Sequence, residues 1–311
     1  MRSPPHQEAV IDYVTFDERP ELKNPTWIVS FVGWTDAQEG ATRCVRHMVQ
    51  SLQATKFAEL DAEEFYDFTS VRPMAYNDQR GQRAIRWPTN QFYYWKNPEA
   101  ERDLVLFLGT EPSLKWRTYT QELLSVVEPY DLDLVVNVGS LMDATPHTRE
   151  PRLSGGANRD ELKSKLGDMQ IRGTDYQGPV GITSVLMDAC SKADLDYINV
   201  WGHAPHYVQR SPNYKVTKAL TQRLNELLNL SIETESLARK AEQFEAEVTK
   251  AIASSVEVST YVKRLERHYD STTSSAEPET PSELPTPESV VEDLDEFFRG
   301  NRPESGPFSS N

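Results

Sequence analysis

Trp27-Ile28-Val29-Ser30-Phe31-Val32, followed by Gly33-Trp34-Thr35-Asp36, is the stretch on which the fold turns. The first six residues form an apolar run without polar alternation, which suits a strand covered on both faces. Gly33 supplies a tight turn, and Asp36 has the chemistry of a helix N-cap, because its carboxylate can accept from the free amides of a first turn. Beyond it Ala41, Val45, Met48, Val49 and Leu52 recur at helical spacing, so a helix is predicted from Ala37 to Leu52. The same unit repeats. Leu104 to Leu108 ends at Gly109 before a Pro112-initiated helix to about Glu128, Leu132 to Val138 ends at Gly139, and Tyr197 to Trp201 ends at Gly202. Such βα units predict an α/β fold with a mostly parallel sheet, helices on both faces and right-handed crossovers.

Other segments fit around this frame. A short strand is expected over Ala9 to Phe16, while Glu64 to Phe68, Arg83 to Trp87 and Gln91 to Trp95 alternate as in an exposed hairpin or sheet edge. Gly178-Pro179-Val180-Gly181 opens a helix running to about Ala193, with Ile182, Val185, Leu186, Ala189 and Cys190 on one face. Proline is tolerated near that start because the first amides have no intrahelical acceptor. Ser154-Gly155-Gly156-Ala157-Asn158, the one glycine-rich stretch, reads as a surface turn rather than a phosphate loop.

Residues 1–230 are thus expected to form an α/β domain, 231–269 a helical segment and 270–311 an acidic tail. In the helical segment Leu237, Ala241, Phe244, Val248, Ala251, Ser255, Val258, Val262, Leu265 and Tyr269 follow a 4-3 spacing, which makes a narrow apolar seam. A break is expected near Ser254-Ser255, whose hydroxyls compete for backbone hydrogen bonds. A hairpin folded back on the sheet domain and a self-association helix both fit. The tail is Ser, Thr, Pro and Glu to about residue 288, a composition that cannot bury a core. Ser289-Val290-Val291-Glu292 then has the form of a capping box, and a short helix over 289–299 would carry Val291, Leu294, Phe297 and Phe298. Too short to be stable alone in water, it is either a docking motif for a partner or for the chain's own body, or a weakly ordered remnant.

Charge narrows the partners. The net charge is −15, and from Asp270 onward ten acids face two arginines, which argues against nucleic acid, whose binding rests on Lys and Arg neutralising phosphates. No apolar run approaches the ~18 residues of a membrane span, and the first eleven residues lack a signal-peptide core, so a cytoplasmic protein without membrane attachment is expected. Cys44 and Cys190, in helical stretches, read as buried thiols.

Two strand-end loops carry Pro-His: Pro146-His147-Thr148-Arg149, and Pro205-His206-Tyr207 with His203 just before it. Parallel strands would bring both loops to the sheet's carboxyl edge, where α/β folds hold ligands. There Arg149 could grip a carboxylate or phosphate and His147 could move a proton, or both could pin their loop through hydrogen bonds. His203 and His206 could face one metal ion, though loop-stabilising roles fit them better; Trp34 could stack on a ligand or cap the core. The chain has no H-E-x-x-H, G-x-S-x-G, P-loop or G-x-G-x-x-G pattern, and Gly139-Ser140 runs into Leu141-Met142. No catalytic residue, metal or cofactor is therefore assigned. Trp34, Asp36, His147, Arg149, His203, His206 and Tyr207 are candidates for binding a ligand or partner.

Gly33-Trp34-Thr35-Asp36-Ala37, Pro146-His147-Thr148-Arg149, Tyr176-x-Gly178-Pro179-x-Gly181-Ile182, Asp188-Ala189-Cys190, Pro205-His206-Tyr207-Val208, Pro212-Asn213 and Lys218-Ala219 occur in this order. Together they resemble the PAC2 family, the proteasome assembly chaperone type 2 group, in its bacterial form with a helical C-terminal extension, over roughly Trp27 to His268. The resemblance implies a three-layer α/β/α core similar to nucleoside phosphorylases, a homo-oligomer, and partners such as proteasome subunits or other protein clients. It implies no catalysis. Eukaryotic relatives dock through a C-terminal hydrophobic-Tyr-x ending; this chain ends Phe308-Ser309-Ser310-Asn311, so docking by that route is not expected. Two functions are carried forward: a non-catalytic interaction or assembly-chaperone-like protein, and, as the alternative suggested by the shared fold, an enzyme acting on nucleoside or phosphate ligands.

Overall fold

A computed structural model describes residues 13–98, 102–173, 176–208 and 212–274. The strands are β1 (Val14–Phe16), β2 (Thr26–Val32), β3 (Thr55–Leu60), β4 (Met74–Asn77), β5 (Arg83–Arg86), β6 (Gln91–Trp95), β7 (Leu104–Thr110), β8 (Leu134–Asp143), β9 (Leu153–Ala157) and β10 (Tyr197–Pro205). Eight of them form one sheet in the order β1-β3-β6-β7-β2-β8-β10-β9, and β4 and β5 form a separate ribbon. The four central strands β7, β2, β8 and β10 are parallel, while the flanking pairs are antiparallel. The sheet is therefore mixed, with its parallel part in the buried middle.

Successive residues of a strand face opposite sides, and β2 shows what that does here. Trp27, Val29 and Phe31 point into a core shared with α2 (Trp116–Val127) and α4 (Ile182–Lys192). Ile28 points into the other, shared with α1 (Gly40–Ser51), α3 (Asp160–Asp168) and α5 (Tyr214–Leu228). This is the expected three-layer arrangement. Each fully buried large side chain contributes about 1.5–3 kcal/mol through loss of apolar surface to water. Cys44 on α1 and Cys190 on α4 are free and buried, and burial pushes both thiols up to about 12.

Several expected boundaries shift, for identifiable reasons. β8 and β10 pair residue for residue from Tyr197↔Val135 to Pro205↔Asp143, well past the glycines expected to stop them. Gly139 is inside a strand because Trp201 lies against it: an added Cβ would be 2.5 Å from the indole. Only Gly33, with φ of +141°, turns the chain as expected. The predicted loop at Ser154–Asn158 is mostly strand β9, which closes the free side of β10. β6 is interior, between β3 and β7, and β5 pairs with β4 instead. Glu64 to Phe68 is a turn that buries Phe65 and Tyr66. A 3-10 turn, Ala37–Glu39, precedes α1, and α2 starts at Trp116 rather than Pro112.

Two more helices complete the described chain, α6 (Glu235–Ile252) and α7 (Val256–Ser274), broken at the expected place. Their seam residues Phe244, Val248, Ala251, Val258, Val262 and Leu265 form a third core with Tyr207 and Val208. The pair thus folds back onto the α/β body. Among the described residues no helix is long and apolar enough to cross a membrane. Residues 9–12 of the first expected strand, and the 289–299 segment with Val291, Leu294, Phe297 and Phe298, lie outside the described residues.

Candidate interaction site at the carboxyl edge

The loops leaving β8 and β10 do meet at the carboxyl edge, but α6 and α7 lie over them. His147 is buried; its amide donates to the Tyr207 hydroxyl at 2.8 Å, and its ring contacts that hydroxyl at 2.7 Å and Thr249 Oγ1 of α6 at 3.1 Å. Burial, assisted by the nearby Lys215 charge and opposed by Glu245, lowers the His147 pKa to about 4. The ring is neutral at neutral pH. His206 contacts the Asp143 carbonyl at 3.0 Å and the Tyr261 hydroxyl of α7 at 3.0 Å. His203, on β10 rather than on a loop, sits between Asp143 Oδ2 and Ser154 Oγ, each at 2.8 Å. Burial would raise the Asp143 pKa, yet the hydrogen bond and charge of His203 and the Ala144 amide outweigh it and the pKa is lowered. Both ring nitrogens of all three histidines are thereby engaged within the chain, His203 and His206 meeting different atoms of Asp143.

The cations are engaged in the same way. Arg149 makes a fork to Asp270 of α7, Nε to Oδ1 at 2.8 Å and Nη2 to Oδ2 at 2.9 Å, with Glu266 at 3.7 Å. Arg152 hydrogen-bonds Thr272 and lies 4.5 Å from the Tyr269 ring centre. Buried Lys215 donates to the His147 carbonyl at 2.7 Å and to Glu245 of α6 at 2.5 Å. The void left beneath the helices is about 10 Å³, room for about one water and no ligand. Tyr207, like the histidines, serves as an internal partner.

Asp36 caps α1 as expected, although from across the 3-10 turn: Oδ1 accepts from the amides of Ala41 at 2.9 Å and Thr42 at 3.1 Å. Burial raises its pKa against these hydrogen bonds. Next to it Gln38, not singled out from sequence, holds a left-handed backbone (φ 52°) and donates to the carbonyls of Pro205, at 2.7 Å, and Val208. Asp36 and Gln38 are thus framework, tying the loop after β2 to the ends of β8 and β10.

The open part of the edge lies one strand further along. α1 leaves β2 toward one face, and α2 leaves the adjacent parallel strand β7 toward the other. Where neighbouring connections diverge in this way, a crevice opens at the carboxyl ends. It measures about 520 Å³ and is lined mainly by Val32, Trp34, Val71, Glu111, Trp116 and Val180. Trp34 is 66% exposed there. Glu111, the one charged lining residue among those described, accepts from the Trp34 amide at 3.1 Å and from the Ile182 amide at the start of α4 at 3.0 Å. It therefore holds two walls of the cleft in place, and its position after a predicted strand end was the only sequence signal for it. Such a surface can bind apolar groups. Among the described residues no group of three His, Cys, Asp or Glu could hold a metal ion.

Comparison with known proteins agrees with this fold. The model of the PAC2 family matches residues 30–252. A PAC2 family protein from Streptomyces avermitilis is 37% identical, with a TM-score of 0.69 over 76% of this chain and 99% of that one. A proteasome-assembly chaperone homologue from Mycobacterium tuberculosis is 35% identical, with a TM-score of 0.68 over the same shares. An archaeal proteasome activator from Pyrococcus furiosus shares the fold at 20% identity, with a TM-score of 0.64 over 76% of this chain and 97% of that one. A search of curated proteins found no match.

Proposed function

The chain belongs to the PAC2 family, and from this premise we propose that it is a non-catalytic, assembly-chaperone-like protein that binds protein partners through the Trp34 cleft. Proteasome subunits are the first clients to test, as the 35% identical relative is a proteasome-assembly chaperone homologue. In this reading it works in the cytoplasm as a homo-oligomer. One observation carries the proposal: the polar groups of the two Pro-His loops are spent on internal contacts, whereas Trp34 stands two-thirds exposed beside an apolar cleft. The alternative, an enzyme for nucleoside or phosphate ligands, needs Arg149 free to hold an anion, and its fork is filled by Asp270.

The test is affinity capture with the intact chain beside a Trp34→Glu variant in cells that contain proteasomes. The proposal expects proteasome subunits with the first and their loss with the second. Equal recovery by both would move the interaction away from the cleft; no subunit with either, together with turnover of a nucleoside or phosphate ester, would favour the enzyme.

A further inference from the structure

The chain is acidic overall, yet one almost wholly exposed element is basic. The ribbon β4–β5 exposes Met74 (66%), Ile85 (59%) and Tyr76, together with Arg80, Arg83 and Arg86. Among the described residues none of these three arginines pairs with a carboxylate. Asp78 at the turn is committed to the amides of Arg80, at 2.9 Å, and Gln82, at 2.7 Å. Arg86 lies 5.0 Å from the centre of the Tyr76 ring. Pairing sets Met74 opposite Arg86 and Ala75 opposite Ile85, so both faces carry an apolar side chain, and Arg83 joins Ile85 on the second. At its base Trp87 packs on Phe68, ring centres 4.9 Å apart. A two-stranded ribbon is marginally stable by itself in water, and its outer edges offer backbone groups for further pairing.

A surface that mixes arginines with apolar side chains suits an occupant that mixes carboxylates with apolar side chains. The chain contains one. Glu288 to Arg299 carries Glu288, Glu292, Asp293, Asp295 and Glu296 beside Val291, Leu294, Phe297 and Phe298. It is joined to α7 by residues 275–287, which extended reach about 45 Å, comparable with the breadth of a body of this size. The Trp34 cleft is the poorer seat for it, since the charged group lining that cleft is the acid Glu111. We propose that the 288–299 segment docks over an outer edge of the β4–β5 ribbon of its own chain, where it reaches both faces, its carboxylates meeting Arg80, Arg83 and Arg86 and its apolar residues covering Met74, Tyr76 and Ile85. This contact is independent of the chaperone reading.

Photo-cross-linking in the full-length chain tests it, with p-benzoylphenylalanine in place of Ile85 and a mixture of isotopically light and heavy protein. Cross-links into 288–299 within one chain are expected. Arg80→Glu, Arg83→Glu and Arg86→Glu together should reduce them about tenfold, three exposed charge pairs having turned repulsive. Lysines replacing Glu292, Asp293, Asp295 and Glu296 should reduce them alone and restore them in the triple variant. Raising salt from about 0.1 to 1 M should weaken them as the screening length shortens. Circular dichroism checks that each variant is folded; all changed ribbon residues are exposed. Cross-links outside 288–299, links only between light and heavy chains, or links indifferent to charge reversal would overturn the proposal.

Discussion

Arg149, on the loop after β8, holds Asp270 near the end of α7 through two parallel hydrogen bonds of 2.8 and 2.9 Å. The guanidinium with the geometry to capture a substrate anion is thereby a fastener for the chain's own last described helix. Asp270 answers with a pKa lowered chiefly by its hydrogen bond to Arg149.

Arg149→Ala should release that end of α7 at small cost. The pair is partly solvent-exposed, so the loss should stay below about 1 kcal/mol. Hydrogen exchange should accelerate at 266–274 and remain unchanged in β2. Global destabilisation by several kcal/mol would contradict this assignment.

His147 should make stability depend on pH. Its pKa falls from 6.5 to about 4 on folding, so between these values the unfolded chain binds the extra proton. Its contribution is fully present above about pH 6.5 and is lost as pH falls toward 4, on the order of 3 kcal/mol in all. Denaturant melts of wild type and His147→Gln between pH 7 and 4 measure it: the slope of stability against pH should flatten in the variant. Parallel slopes would refute it.

Glu111→Ala should disturb the cleft more than its partial exposure suggests, because the amides of Trp34 and Ile182 both lose their acceptor. The expected cost is about 1–2 kcal/mol, and Glu111→Gln, with one acceptor oxygen, should recover part of it. Trp34→Ala should change stability by less than about 0.5 kcal/mol, as a surface substitution. Chemical unfolding of the three variants separates a wall-holding residue from a binding one.

Gly139→Ala should destabilise by about 1–3 kcal/mol through overpacking, its Cβ forced against the Trp201 ring. Trp201→Leu in the same chain should relieve part of that loss. An unaltered melting temperature in Gly139→Ala would show that the indole moves aside freely.

These residues also mark what was legible in the sequence. Trp27–Val32 declared itself because a strand buried on both faces is apolar without interruption, and the α6–α7 seam because its 4-3 spacing persists across the Ser254-Ser255 break. Gly109, Gly139 and Gly202 misled, since all three lie inside strands; a glycine that admits a close neighbour and one that turns the chain look alike. That error put His203 on a loop. The cleft was scarcely legible, because Trp34, Glu111 and Val180 come from three distant segments that only the sheet order brings together. The Pro-His loops were found correctly, but the helices covering them could be matched to that surface only in three dimensions.

The cover has a further consequence in the order of synthesis. Every group beneath it, from His147 to Lys215, is made before α7, which supplies Tyr261, Glu266 and Asp270. At about 5–20 residues per second, the ribosome takes several seconds to add the stretch from Val208 to Ser274. Until then His147, His206, Arg149 and Lys215 lack the partners that α6 and α7 give them in the finished protein, and the arrival of Asp270 completes the set.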